Sequence, residues 1–398
     1  GTLTNKSLKD FCHLLGLVLN DWNPLPNNRR ELDAWASIID AKGIPIPGAW
    51  GEIAPLYQRQ GLTSDQEQDM ARKAFGEHLA STRCVVSLQS KEGCDASILF
   101  RHHRVDLPSE VTEAFEKFDR SWTRPDGEEI KLALDAYRVY RQLSQGFYYK
   151  WNWNAAPWKG QPDMDWLDRR ARWGRACRAI LKEHIPGYDS PLQVRRGLLN
   201  KDLEDPEGLE AWNAWAEVRH KPKPPTSPVW ISDFMVQAAV TWAKKQKKDG
   251  IIWYQDKAMG DKLGEAGLPV FGAGQMPVLD GKVIACSMQA QGTGKNLQAY
   301  NKNFLLCFGS SGGKMEQLIG RTHRPGQEAD EILVDFAAET SAGRDSVRSA
   351  IKGAKYLQSV TQNKQKLLLG TWDCEAFDRF GRLESGGDTY GEDGEEYT

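Results

Sequence analysis

The 398 residues, 52 of them basic and 54 acidic for a net charge of −2, exceed one average domain and are enough for two or three, each with a core of its own. Near neutrality excludes a molecule-wide field for a polyanion, so any nucleic-acid contact must come from a local patch. No apolar run reaches membrane-spanning length and no signal-peptide pattern opens the chain, which reads as a cytoplasmic protein with no membrane partner.

The chain opens Gly1-Thr2-Leu3-Thr4-Asn5, without an initiator methionine, as a piece of something longer would. Ser7 can cap a helix whose apolar stripe is Leu8, Phe11, Leu14 and Leu15. Residues 21–57 are rich in Pro, Gly and Trp and read as loops around one helix, Arg30 to Ala41. A second helix is expected over Thr63 to Ala80, with Ser64 as its cap. Arg83 to Leu88 is apolar enough for a strand that closes a sheet. In Arg101-His102-His103-Arg104 adjacent histidines point to different faces, so the cluster reads as solvated or phosphate-facing rather than metal-binding.

From Leu107 to about Ser144 the pattern is helical, with Val111, Phe115 and Phe118 and then Leu132, Leu134, Tyr137 and Tyr140 on the apolar faces. Ten of the fifteen tryptophans fall between Trp151 and Trp253. Clustered indoles are core in the first instance, with base stacking or a partner surface as the sharper alternative. Over Trp166 to Lys182 a helical wheel places Trp166, Trp173, Cys177 and Ile180 on one side and Arg169, Arg172, Arg175 and Arg178 on the other. That basic band is a solvated face or a sequence-blind phosphate contact. Leu199 to Pro228 is acidic, then Lys-Pro rich, and reads as a connector. The seven cysteines form no C-x-x-C pair and read as buried thiols in a reducing compartment.

A helix is expected over Phe234 to Lys248, stopped by Gly250. Strands then recur as Ile251 to Tyr254, Leu268 to Phe271, Val283 to Met288, Phe304 to Phe308 and Ile332 to Phe336, separated by helical or glycine-rich segments. This alternation predicts a doubly wound parallel α/β sheet with ligand-binding loops at the carboxyl ends of its strands. Gly313 to Arg321 should be a helix ending before Pro325-Gly326, with Gln317 and Arg321 on one face. Arg321, His323 and Arg324 crowd donors that can grip oxyanions. Arg324 could instead pair with a carboxylate such as Glu328. Gly292-Thr293-Gly294-Lys295 is not a phosphate-binding P-loop, because Gln289 stands where that motif needs its first glycine and Asn296 where it needs Ser or Thr. The last stretch, Gly386 to Thr398, is acidic and glycine-rich and reads as disordered.

The order Gln317-x-x-Gly320-Arg321-x-His323-Arg324-x-Gly326-Gln327 resembles motif VI of the superfamily 2 helicases, in their chromatin-remodeller-like (Swi/Snf-type) translocase branch, viral relatives included. Upstream, Ser287-Met288-Gln289-Ala290-Gln291-Gly292-Thr293-Gly294-Lys295-Asn296-Leu297 is similar to motif V, with Gln291 and Lys295 standing where the family has a glycine and an apolar residue. Given these two, Gly1 to Asn5 resembles the end of motif III, and Tyr140 to Phe147 resembles a segment that precedes the second lobe in viral members. The resemblance implies a fold in which residues 1–105 are the end of a first RecA-like lobe, 106–227 a helical insertion, 228–385 the second RecA-like lobe and 386–398 a tail. It implies ATP in the cleft between lobes, with Arg324 as the arginine finger, Arg321 its partner at the phosphates and Gln317 the link to the strand. Gly292, Gly294, Asn296 and Gly320 would shape the nucleotide-sensing loop, and Ser287, Gln289 and Lys295 would face nucleic acid, taken as DNA. The phosphate loop and the magnesium ligands would lie in the first lobe, upstream, and this chain alone would then be inactive. The competing expectation is a RecA-like module that has kept its fold and lost its chemistry.

Overall fold

The computed structural model describes residues 7–85, 94–130, 133–155, 157–183, 188, 190–246, 249–278 and 280–373. The Gly1 to Asn5 motif, the Val86 to Leu88 half of the first expected strand and the acidic tail lie outside them. The chain divides into two compact units, residues 1–104 with 238–398, and residues 105–237. Among the described residues the strands are β1 Ser97–His102, β2 Phe147–Trp151, β3 Thr226–Trp230, β4 Gly250–Tyr254, β5 Val270–Phe271, β6 Val283–Ser287, β7 Lys302–Leu305, β8 Glu331–Phe336 and β9 Thr371–Trp372.

The first unit is built on a seven-stranded sheet in the order β5-β6-β4-β7-β8-β1-β9, with every pairing parallel. Every residue of β4 and of β6 is buried, as expected of apolar runs in a parallel sheet covered on both faces. This is the α/β doubly wound parallel sheet read from the sequence. Gly250, expected to stop a helix, opens β4 instead. A Cβ there would lie 2.8 Å from the Trp242 ring, so glycine lets that fully buried indole pack against the strand. The strand expected from Leu268 begins only at Val270, because Pro269 has no N–H for the ladder; its carbonyl still accepts from the Ala285 N–H at 2.8 Å.

No strand was expected over β1, which is an inner strand of this sheet. It pairs with β8 from Ser97 opposite Glu331 to His102 opposite Phe336, and with β9 on its other side. Arg101 makes a bidentate bond to Asp335, Nε to Oδ1 at 2.8 Å and NH2 to Oδ2 at 3.0 Å. Asp335 also accepts from the Trp242 indole at 2.7 Å. No group of three or more His, Cys, Asp or Glu among the described residues could hold a metal ion; His102, expected to be solvated or phosphate-facing, is buried with its Nε2 3.1 Å from Glu339.

A second core packs the helices Lys9–Leu19, Arg29–Ile39 and Ser64–Ser81 against the Ser341–Thr361 helix, through Leu8, Trp35, Phe75, Leu357 and Val360. The cap of the Ser64–Ser81 helix is Thr63, in a reciprocal capping box with Gln66, and not Ser64; two orphan backbone donors are satisfied that way. Cys84, expected to be buried, is exposed.

In the unit 105–237, β2 and β3 pair antiparallel beside five helices: Ser109–Ser121, Ala133–Leu143, Met164–Glu183, Pro191–Asn200 and Pro206–Val218. The expected connector after Leu199 is therefore corrected. It holds the Pro206–Val218 helix, capped by Asp205 onto the Gly208 N–H with Pro206 in the first turn, where proline's missing donor costs nothing. That helix covers the apolar side of Met164–Glu183, with Trp173, Cys177 and Ile180 meeting Ala211 and Trp212. Two of the four arginines of the basic band are paired with carboxylates within the unit. Arg169 pairs with Asp165 and Glu217, Arg172 with Glu210, and Arg178 donates to the Ile130 carbonyl. No helix among the described residues is long and apolar enough to cross a membrane.

Candidate functional site

Strand β6 ends at Ser287, whose hydroxyl accepts from the Ala290 N–H and caps the short Met288–Gln291 helix. Gln291 is buried, and its Nε2 donates to the carbonyls of Gly272 at 2.7 Å and Gln275 at 2.8 Å, which ties the loop after β5 to this turn. Gly292 needs its missing side chain, because a Cβ would stand 2.3 Å from the Met288 carbonyl oxygen. Gly294 sits at φ +71 with open space beside it, a left-handed conformation suited to glycine. Asn296 is exposed, and its Oδ1 accepts from the Gln298 N–H.

The second segment begins with the Gly312–Ile319 helix, capped by Ser311 onto the Lys314 N–H. It is shorter than expected. Gly320 is its C-cap, so Arg321 lies in the following turn and not on the helix. Arg321 nevertheless reaches back, Nε to the Gln317 carbonyl at 3.0 Å, while its NH1 bonds the Lys295 carbonyl at 2.9 Å. The Arg321 carbonyl accepts from the Leu297 N–H. Gln327 completes the joint, with Nε2 among the carbonyls of Gln298, Tyr300 and Thr322 at 2.9 to 3.1 Å. Gly326 is at φ +88 and a Cβ would meet the Gln298 amide at 2.7 Å. The two segments matched by resemblance are thus joined by their own backbones and by two glutamines. Gln298 had no signal in the sequence.

The joint lies at the amino-terminal edge of the sheet. His323 Nε2 bonds the carbonyl of Ala96, just before β1, and Gln327 that of Tyr300, just before β7. The expectation of a site at the carboxyl ends is corrected for this cluster, because the crossover helix returns the chain to the opposite edge. Ser287 and Gln289 stay at the carboxyl end of β6, and the Lys295 Nζ lies 2.7 Å from the sulfur of Met276, in the loop whose Gly272 and Gln275 carbonyls Gln291 bonds.

Beneath the joint a buried polar chain fixes its height. The Trp253 indole donates to Asn303 Oδ1 at 3.0 Å, and Asn303 Nδ2 donates to the Thr322 hydroxyl at 3.2 Å. Above it, Arg324 is half-buried and, among the described residues, has neither an ion pair nor a side-chain hydrogen bond; Glu328 does not pair with it. Burial, and then the nearby Arg324 charge, lower the Arg321 pKa. Two neighbouring guanidiniums, neither in an ion pair among the described residues, offer donors that can grip a multiply charged oxyanion. Burial lowers the His323 pKa, and because a carbonyl can only accept, His323 Nε2 carries the proton donated to Ala96.

No family model matches the sequence, and no curated protein matches it. Among solved structures the chain is similar to one described as "Crystal structure of the C-terminal part of Fun30 ATPase domain", with a TM-score of 0.33 and 14% identity over 66% of this chain and 98% of that one. A likeness so distant transfers no function.

Proposed function

We propose that this chain supplies the finger side of the nucleotide cleft in an ATP-dependent nucleic-acid translocase or helicase of the Swi/Snf-like branch, with Arg324 as the arginine finger. The observation that supports it is the Arg321–Arg324 pair, in which Arg321 is braced by backbone carbonyls and Arg324 has no countercharge. In the proposed cycle the γ-phosphoryl group of ATP accumulates charge as it leaves, and Arg324 stabilises it; Gln317 couples the cleft to the strand. Gly292, Gly294, Asn296 and Gly320 shape the loop beside it. Ser287, Gln289 and Lys295 would contact the nucleic-acid backbone. A finger serves a nucleotide held by another lobe, which suits a cluster at the amino-terminal edge of its own sheet. The sequence has no G-x-x-x-x-G-K-[ST] run, so the phosphate loop and magnesium belong to that other lobe.

The test is steady-state ATPase. The chain alone is expected to turn over at background rate, and robust turnover would sink the two-lobe reading. In the protein that carries both lobes, Arg324→Ala should lower turnover by roughly 10³-fold or more with ATP affinity little changed. Arg324→Lys should rescue poorly, since an ammonium lacks the planar fork. Near-wild-type turnover in Arg324→Ala removes the catalytic claim. It would leave the second reading, a binding module without hydrolysis, which the internal bonds of Arg321 favour.

A further inference from the structure

The unit 105–237 contains a cleft of about 660 Å³ that the translocase reading does not use. That volume is within the ~300–1,000 Å³ typical of ligand pockets. One wall is made of indoles, Trp151, Trp153 and Trp215, with Trp173 deeper. Trp166 stands behind them, edge-on to Trp151, Trp153 and Trp215 at centroid distances of 5.8, 6.4 and 5.4 Å, and is buried. This back layer holds the front rings in fixed planes.

Two cations sit over the same wall. The Arg170 guanidinium lies 5.3 Å from the Trp151 centroid and 5.7 Å from that of Trp166, and the Lys223 ammonium lies 5.4 Å from Trp151. Among the described residues neither has a carboxylate within ion-pair distance. Their neighbours differ. On the same helix Arg169 and Arg172 are both paired with carboxylates, and nearby Lys221 bonds Asp163. The lining also includes Glu128, Glu129 and Asp135 with Arg124 and Arg138, and Arg124 is already bound by Asp126 and Glu128.

A ligand for this cleft must present a flat π-face to indole and an anion to Arg170 and Lys223. A quaternary ammonium fits poorly, because the protein's own cations already occupy the Trp151 face. A saturated acid offers nothing to the rings. An unpaired base with its phosphate meets both demands, since every base has a π-face and stacking on aromatic side chains is sequence-tolerant. We propose that the cleft beside Arg170 and Lys223 binds an unpaired nucleotide, with the base on Trp153 and Trp215, since the Trp151 face is taken by the two cations, and with the phosphate at those cations. A free mononucleotide and a base within a single strand share this chemistry.

The experiment uses the whole 398-residue chain and fluorescein-labelled 12-mers of dT and of U, read by anisotropy at low salt, with thymidine monophosphate as competitor and a 12-base-pair duplex as control. Single strands are expected to bind. Lys223→Glu and Trp153→Ala should each weaken them about tenfold or more, on the scale of stacking energies per base. Arg172→Glu, the same change of charge on a paired arginine outside the cleft, should leave binding unchanged, and unaltered far-ultraviolet circular dichroism shows that each variant is folded. Competition by the mononucleotide at similar concentration assigns a free nucleotide as the ligand; competition only by strands assigns a single strand. The proposal is overturned if single strands do not bind, if the duplex binds equally well, or if Arg172→Glu weakens binding as much as Lys223→Glu does.

Discussion

Replacing Asp335 by alanine tests the joint between β1, β8 and the helix bearing Trp242. The carboxylate is buried and takes three bonds, two from Arg101 and one from the Trp242 indole. Removing one partner of a buried ion pair costs about 3–5 kcal/mol. The Arg101 side chain is 39% exposed, so water recovers part of its solvation and this contribution falls below that range, to about 2–3 kcal/mol. Trp242 is 1% exposed and gains no water, so its orphaned N–H adds about 1 kcal/mol or more. The sum for Asp335→Ala is about 3–4 kcal/mol. Asp335→Asn keeps an acceptor for the indole and should lose about half as much. Urea unfolding followed by circular dichroism, analysed for the transition of the sheet unit, measures both. A loss under about 1 kcal/mol in Asp335→Ala, or equal losses in the two variants, would refute the reasoning.

Gly312→Ala should destabilise by about 1–3 kcal/mol, because its Cβ would lie 2.5 Å from the Ala354 nitrogen and 2.6 Å from the Ala350 carbonyl oxygen; thermal melting reads this, and an unchanged midpoint would show that the two helices separate freely. His323 and His103 both have pKa values depressed by burial, so the unfolded chain takes up their protons first. Stability is therefore expected to fall as pH drops below about 6.5. His323→Gln can still donate to Ala96 and should flatten the stability profile between pH 7 and pH 5; an equally steep profile would remove His323 as a contributor.

The sheet was legible because β4 and β6 are apolar throughout, and such runs have one stable setting in a parallel sheet. Arg321 bonds the carbonyls of Gln317 and Lys295, a contact between two segments that the order of residues had singled out. What stayed illegible is long-range. Ser97–His102 alternates enough to be a strand anywhere, and nothing in it names Glu331–Phe336 as its neighbour. The same is true of Gln298, whose role exists only because Gln327 arrives beside it. The tryptophan cleft was half-visible, as a cluster of indoles without a shape; it takes the helix Met164–Glu183 to bring Arg170 over Trp151.

The position of β1 also sets the order in which the chain can assemble. Arg101 and Asp335 are 234 residues apart in sequence, so at ~5–20 residues per second β1 leaves the ribosome roughly 10 to 50 seconds before β8 exists. During that interval Ile98, Leu99 and Phe100 are a short apolar segment without a ladder, of the kind that pairs with the wrong chain. The residues that follow are Arg101, His102, His103 and Arg104. They give the waiting strand a charged end, which guards it against aggregation until Asp335 arrives to take up Arg101.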